Sequence, residues 1–158
     1  MKLSKKILLL TALLSVILFA LGLMVYEKLF GLFEPQVDGI VFQITEGSGT
    51  FKTSLLFSLA AALIPRLTVL TWQWGPINSS TKRFASVVTI LIFIATAIVV
   101  RHEEVKTYFN SIAKKLVASN NNITFTYPID PANFVYYMLA GLCIGCIISY
   151  FLFKERTR

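Results

Sequence analysis

The chain has 158 residues, of which 56% are apolar, and a mean hydropathy of +0.71. This composition excludes a water-soluble globular domain, because too little polar sequence is present to cover one. The formal net charge of +7 could suggest nucleic-acid binding. The basic residues are instead distributed as in a membrane protein, so direct sequence-specific nucleic-acid binding is not expected.

Four apolar segments are long enough to cross a hydrocarbon core of about 30 Å, which takes roughly 20 helical residues. They are residues 7–26, 53–72, 84–100 and 134–153. The first segment also has features of a secretory signal, but its apolar run exceeds the ~7 to 15 residues of a signal core. The sequence therefore predicts a four-helix transmembrane bundle, an all-α membrane protein in which residues 1–158 form one polytopic domain.

The basic residues predict the orientation of these spans. If the spans alternate from a cytoplasmic amino terminus, Glu155 is the only acidic residue on the cytoplasmic side. The basic residues on that side are Lys2, Lys5, Lys6, Arg66, Lys82, Arg83, Lys154, Arg156 and Arg158. The other side has basic and acidic residues in similar number. This asymmetry follows the positive-inside rule, so we expect both termini in the cytoplasm of a bacterium and the chain in its inner (plasma) membrane.

The two predicted outer loops, residues 27–52 and 101–133, each contain a short strand pattern. Apolar and polar residues alternate in "GIVFQIT" from Gly39 to Thr45, and again in "ITFTYP" from Ile123. Alternation between turn residues is typical of a strand. Because unpaired strands near a membrane are costly, we predict that the two strands pair as a small antiparallel sheet in an extracytoplasmic cap.

An amphipathic helix is predicted for residues 103–118 of the second outer loop, as a further part of the cap. Its apolar positions recur at three- and four-residue spacing; they are Val105, Tyr108, Phe109, Ile112 and Leu116. Such a helix either lies in the headgroup layer or covers the small sheet. After it, Asp130 is predicted as the N-cap and Pro131 as the first helical residue of the fourth span.

Arg66 follows Pro65 inside the second span, six residues before the interfacial Trp72. The side chain can reach the cytoplasmic interface by snorkelling over roughly 9 Å. Alternatively, it faces the bundle interior and binds an acidic or phosphate group, although no Asp or Glu lies in the other spans. Pro65 frees a backbone carbonyl and predicts a kink. The short link after Trp74 predicts that the second and third spans are antiparallel neighbours.

Small residues at four-residue steps predict close helix packing in two spans. They are Gly141, Gly145 and Ser149 in the fourth span and Ser54, Ser58 and Ala62 in the second. Packing within one chain is the simpler interpretation, and a homo-oligomer or partner contact is the alternative. The C-x-x-C pair Cys143 and Cys146 lies at lipid depth without a second pair, so it does not indicate redox or metal chemistry.

The sequence contains no recognisable nucleophile, metal-ligand set or acid–base pair, so neither an enzyme nor a bound cofactor or metal is expected. A small transporter is disfavoured, since the spans contain a single cation and no polar path. The remaining interpretation is a protein that acts by contact within the lipid bilayer on a membrane or extracytoplasmic protein. The candidate contact residues are Pro65, Arg66, Tyr108, Phe109, Lys114 and Lys115.

The layout of basic inner ends, four spans, a short inner link and two longer outer loops resembles two classes of bacterial protein. They are the immunity proteins against pore-forming colicins and the small prophage-encoded superinfection-exclusion proteins. The resemblance is one of topology over the whole length, and no family residue is carried over. It implies a protective factor that blocks a toxin, a phage or DNA translocation at the membrane. The alternative is an accessory subunit of a larger secretion, respiratory or transport complex.

Overall fold

The structure is a computed structural model that describes residues 5–31, 40–45, 50–117, 123–128 and 133–154. Its elements, in chain order, are helix α1 (Lys5–Gly31), strand β1 (Ile40–Thr45), helix α2 (Thr50–Trp74), helix α3 (Ser80–Val117), strand β2 (Ile123–Pro128) and helix α4 (Phe134–Phe153). All four helices are long and apolar enough to cross a membrane. The prediction of four apolar spans is confirmed, and the chain is a multi-pass helical membrane protein.

The helices pack in the order α1, α2, α4, α3. The main contacts join α1 to α2, α2 to α4, and α4 to α3, whereas α2 and α3 touch only slightly. The prediction that the second and third spans are close neighbours was therefore wrong. A short link brings two helix ends together, but the packing surfaces decide which helices lie side by side. Small residues of α4 allow its backbone to pack closely against α3, so α3 lies beside α4 and not beside α2.

Helix α3 continues without a break from Ser80 to Val117, which is 38 residues. The residues predicted as an amphipathic helix, 103–118, are helical as far as Val117 and bury Val105 and Phe109, which confirms that part of the prediction. They continue α3, however, and do not form a separate helix. Between Pro76 and Pro128 the chain has neither Gly nor Pro, so the polar residues that begin at Arg101 change the composition without ending the helix. At ~1.5 Å per residue, α3 is about 57 Å long, against about 30 Å for a hydrocarbon core.

Strands β1 and β2 pair in parallel, with Ile40 opposite Ile123 and Phe42 opposite Phe125. The prediction of antiparallel pairing was wrong. Each strand follows one long helix and precedes the next, so the order helix, strand, helix occurs twice in the chain. Parallel strands need a long crossover, and α2 with α3 provides it by running away from the sheet and returning.

The buried core lies mainly in the half of the helices nearest the strands, which we call the strand end. Aromatic side chains fill much of it: Tyr26 is buried in the last part of α1, Phe57 is near the start of α2, and Phe134 begins α4. The rings of Tyr26 and Phe57 are tilted, with centroids 5.4 Å apart. Val105 and Phe109 of α3 complete this cluster, so the part of α3 beyond Val100 is packed against the bundle.

Helix α4 begins at Phe134, preceded by Asn133 in the left-handed region with φ of 54°. The predicted start at Asp130 and Pro131 was wrong by three residues, since Asn133 is not helical. Asp130 and Pro131 themselves lie outside the described residues. Asparagine is one of the few residues that adopt a left-handed backbone readily, so Asn133 can turn the chain sharply into α4 where another side chain would be strained.

Candidate functional site: the α3 extension and the Arg66 cleft

The last part of α3, residues 101–117, is called here the α3 extension. Three polar side chains attach its base to α4. The Arg101 guanidinium pairs with the Glu104 carboxylate, Nη1 to Oε2, at 2.9 Å. The Tyr137 hydroxyl of α4 donates to the same carboxylate oxygen at 3.0 Å, and the Arg101 guanidinium lies over the Tyr137 ring, 5.2 Å from its centroid. One carboxylate therefore holds side chains from both helices.

This Arg101–Glu104–Tyr137 cluster was not among the sequence candidates. Arg101 and Glu104 are three residues apart, a spacing that puts opposite charges on one helix face, so a helix through residue 101 would have indicated the pair. Tyr137 could not be found in this way, because it is 33 residues away in the chain. The cluster adds a polar contact between the base of the α3 extension and α4, beside the apolar packing of Val105 and Phe109.

The candidate contact residues of the α3 extension do not share one environment. Tyr108 is 54% exposed, and Lys114 and Lys115 are also exposed. Phe109 is only 4% exposed and belongs to the core. Phe109 is thus a packing residue in this structure, and of the candidate contact residues on the extension only Tyr108, Lys114 and Lys115 are on its exposed surface.

We expect the change Tyr137→Phe to weaken the attachment of the extension without preventing folding. The ring remains under Arg101, while the hydrogen bond to Glu104 is lost. The expected result is a small fall in the concentration of sodium dodecyl sulfate at which the purified protein unfolds, measured by circular dichroism. Tyr136 is 69% exposed, so Tyr136→Phe is the matched control. Equal midpoints for the two variants would show that the bond contributes nothing.

Other candidate chemistry near the cluster is limited. The His102 Nδ1 atom lies 3.5 Å from Glu103 Oε1 at the helix surface. Among the described residues, no three His, Cys, Asp or Glu side chains are grouped in a way that could hold a metal ion. Cys143 and Cys146 are free thiols in α4, the first exposed and the second partly buried. Cys143 thus lies on the surface of α4, and Cys146 packs against the core.

Arg66 is exposed on the side of α2 that faces α1. It lines a cleft of about 370 Å³ between these two helices, opposite Thr11 and Ser15 of α1. Within the part of the chain that the structure describes, no carboxylate forms an ion pair with Arg66. The sequence left two interpretations of Arg66, a side chain that snorkels to the interface and one that faces the bundle interior. In the structure Arg66 does not face the core, because the core residues of α2 lie on its opposite face.

Helix α2 is continuous across Pro65. Farther along the same helix, the Thr68 hydroxyl donates to the Ile64 carbonyl at 2.8 Å and the Thr71 hydroxyl to the Leu67 carbonyl at 2.9 Å. These side chains bond to their own helix and are buried. They are therefore turned away from the cleft, and Arg66 is the charged residue that α2 presents there. The predicted kink at Pro65 stays a prediction.

The link between α2 and α3 closes the opposite end of the bundle. Arg83 donates from Nε to the Ile77 carbonyl at 2.8 Å, and its guanidinium lies over the Trp72 ring, 5.6 Å from the centroid. Ile77 is buried, with 1% of its surface exposed. Arg83 is thus held by the link, whereas Arg66 is directed into the cleft.

The small residues predicted for helix packing lie at two interfaces. In α4, Gly141 and Gly145 meet the backbone of α3 at Ile94 and Ile90, and the Ser149 hydroxyl donates to the Ser86 carbonyl at 3.2 Å. In α2, Ser58 meets Gly22 of α1. Ser54 is buried and Ala62 is partly exposed. The α4 residues therefore pack within the chain, against α3.

Comparison of the chain with protein-family models, with curated proteins and with solved structures gave no match.

Proposed function

We propose that the chain is a non-enzymatic protein of the bacterial inner membrane that acts by protein contact. Both termini lie in the cytoplasm, and the strand end faces outward as an extracytoplasmic cap. The support for this orientation is the positive-inside distribution of the basic residues. The protein protects its host as an immunity or superinfection-exclusion factor, blocking a toxin or an incoming phage or DNA translocation apparatus at the membrane.

The observation that carries this proposal is the α3 extension. Its base is attached to α4 by the Arg101–Glu104–Tyr137 cluster, and Phe109 is buried against the bundle. The helix therefore presents Tyr108, Lys114 and Lys115 on a rigid support beyond the length that a hydrocarbon core requires. A rigid surface loses little conformational freedom on binding. An exposed tyrosine is a common contact residue at protein interfaces, and the lysines can attract an acidic partner.

A protection assay tests the proposal. We expect expression of the full chain in a sensitive bacterium to reduce killing by a matched pore-forming toxin or to block entry of phage DNA. The charge reversals Lys114→Glu and Lys115→Glu, combined with Tyr108→Ala, should abolish protection. Lys52→Glu is the control on another helix at the strand end. Protein abundance should be unchanged. So should the labelling of a single cysteine at the exposed position 111 by a reagent that does not cross the membrane, after Cys143 and Cys146 have been replaced by serine.

Two results would contradict the proposal. One is unchanged killing and unchanged phage DNA entry across a broad panel with the unaltered protein. The other is labelling of position 111 only from the cytoplasm, which would put the strand end on the wrong side of the membrane. Either outcome leaves the packing of the helices as described and removes the proposed activity.

A second candidate function is an accessory subunit of a larger membrane complex, and one observation favours it. Helix α1 contacts only one neighbour to any extent, and 6% of its most apolar window is buried. Among the α1 side chains whose burial the structure describes, Leu9, Val16 and Met24 are the most exposed large apolar ones. This bare face offers a partner or a second copy an extended apolar surface. Isolation of a stoichiometric complex through α1, lost on mutation of these residues, would support this candidate.

A further inference from the structure

The cleft between α1 and α2 combines apolar walls with polar groups. Leu8 and Ala12 of α1 and Val69 and Leu70 of α2 form the apolar part. The remaining lining residues form the polar part, and they are Thr11, Ser15, Arg66 and Gln73. Both helices are apolar enough to span a membrane, and the apolar walls are therefore in contact with the lipid region. A cleft of this kind suits a molecule that is partly apolar and partly charged.

The polar residues of α1 are placed at this cleft and nowhere else along the apolar part of the helix. Between Lys6 and Tyr26, the only polar side chains are Thr11 and Ser15, and both line the cleft. They are four residues apart, which puts them on one helix face. The Thr11 hydroxyl donates to the Ile7 carbonyl at 2.7 Å, which leaves its oxygen free to accept a bond from a bound molecule.

Arg66 supplies the charge that selects the molecule. It is exposed toward the cleft and lacks a carboxylate partner among the described residues. A guanidinium is always protonated, and its fork of N–H groups matches the oxygens of a phosphate. Arg66 lies eight residues before Trp74, the end of α2, which is about 12 Å along the axis. Its long side chain can therefore meet a headgroup at the membrane edge.

We propose that this cleft is a binding site for one anionic phospholipid. The Arg66 guanidinium binds the phosphodiester, and Gln73, Thr11 and Ser15 provide hydrogen-bonding groups beside it. One acyl chain lies along the apolar walls formed by Leu8, Ala12 and their neighbours on α2. The proposal depends on the geometry of α1 and α2 alone, and it does not require the protective function proposed above.

The test is native mass spectrometry of the full chain in a neutral detergent, titrated with dioleoylphosphatidylglycerol or dioleoylphosphatidylcholine. We expect one tightly bound phosphatidylglycerol. Arg66→Gln should weaken its binding by about tenfold or more, since hydrogen bonds to a charged group are strong. Arg66→Lys should give an intermediate loss, because lysine keeps the charge without the fork. Lys52→Gln, at the other end of α2, is the matched control and should bind normally.

A second variant tests the acyl-chain position independently of Arg66. Ala12 is exposed at the cleft, so Ala12→Trp should fill the cleft and displace the lipid while the charge remains. Inorganic phosphate at millimolar concentration should fail to compete with the lipid. Equal affinity for the two lipids, retained preference in Arg66→Gln, or binding of phosphate alone would each overturn the proposal. So would occupation of the cleft by a second copy of the chain in place of lipid.

Discussion

The change Gly141→Leu is expected to separate α3 from α4 and to lower stability by about 3 kcal/mol, the upper end of the usual cost of overpacking. A Cβ atom at Gly141 would lie 2.6 Å from the Phe93 carbonyl oxygen and 2.9 Å from the Ile94 Cα atom. Both are backbone atoms, which cannot rotate away as a side chain can. The two helices must move apart, and the neighbouring contact at Gly145 is then lost as well.

Unfolding in sodium dodecyl sulfate, followed by circular dichroism, measures this effect. Ala140 is exposed beside Gly141, so Ala140→Leu adds the same side chain on the lipid side of α4 and should leave stability almost unchanged. The smaller change Gly141→Ala should cost about 1–3 kcal/mol, because even one methyl group meets the backbone of α3. If Gly141→Leu and Ala140→Leu unfold at the same detergent concentration, α3 and α4 are not packed as described.

The change Thr107→Pro is expected to break α3 in its extension and to release the segment that contains Phe109 from the core. Thr107 is exposed within α3. A proline there removes a backbone donor and clashes with the preceding turn, at a cost of about 3 kcal/mol or more. Thr107→Ala is the control, since alanine favours the helix and removes the same side chain.

Spin labels at positions 88 and 115 measure this effect directly, after Cys143 and Cys146 have been replaced by serine. The two labelled positions are 27 residues apart in α3, so a continuous helix places them about 40 Å apart with a narrow distribution. Thr107→Pro should broaden and shift that distribution, and Thr107→Ala should not. A separation well below about 30 Å in the unaltered helix would mean that the extension folds back onto the membrane.

The spans could be predicted from hydropathy because a bilayer imposes a length and an apolar composition on each helix. The end of α3 could not be predicted from hydropathy in the same way. Arg101 marks a change from apolar to polar sequence, and hydropathy alone predicts a helix boundary there. A helix is ended by backbone chemistry, chiefly Gly, Pro or a capping residue, and none interrupts α3 near Arg101. Hydropathy indicates where a helix leaves the lipid, and it does not show whether the helix stops there.

Strand position and strand direction also differ in how far the sequence determines them. Alternating residues indicated the segments near Ile40 and Ile123. Pairing direction depends on the path of the chain between the strands, which only the arrangement of α2 and α3 reveals. The sequence placed the two strands in different outer loops, and nothing in the strand patterns themselves distinguishes parallel from antiparallel pairing across the two helices that separate them.

For the candidate sites, the sequence identified single unusual residues and missed their partners. Arg66 stood out as the charge inside a span, but the cleft opposite it depends on how α1 meets α2. Thr11 and Ser15 are the only hydroxyl side chains in the apolar part of α1, and that isolation was the available indication. Tyr137 carried no such indication, because its bond to Glu104 joins distant parts of the chain.

The parallel pairing of β1 and β2 imposes an order on biosynthesis. Ile40 and its partner Ile123 are 83 residues apart in the chain. At roughly 5–20 residues per second, a ribosome needs about 4–17 s to make the second strand after the first. During that interval β2 does not yet exist, so the backbone groups of β1 that pair with it have no strand partner while α2 and α3 are made. The sheet can therefore form only after α2 and α3, which lie between the two strands, have been made and have brought β2 back beside β1.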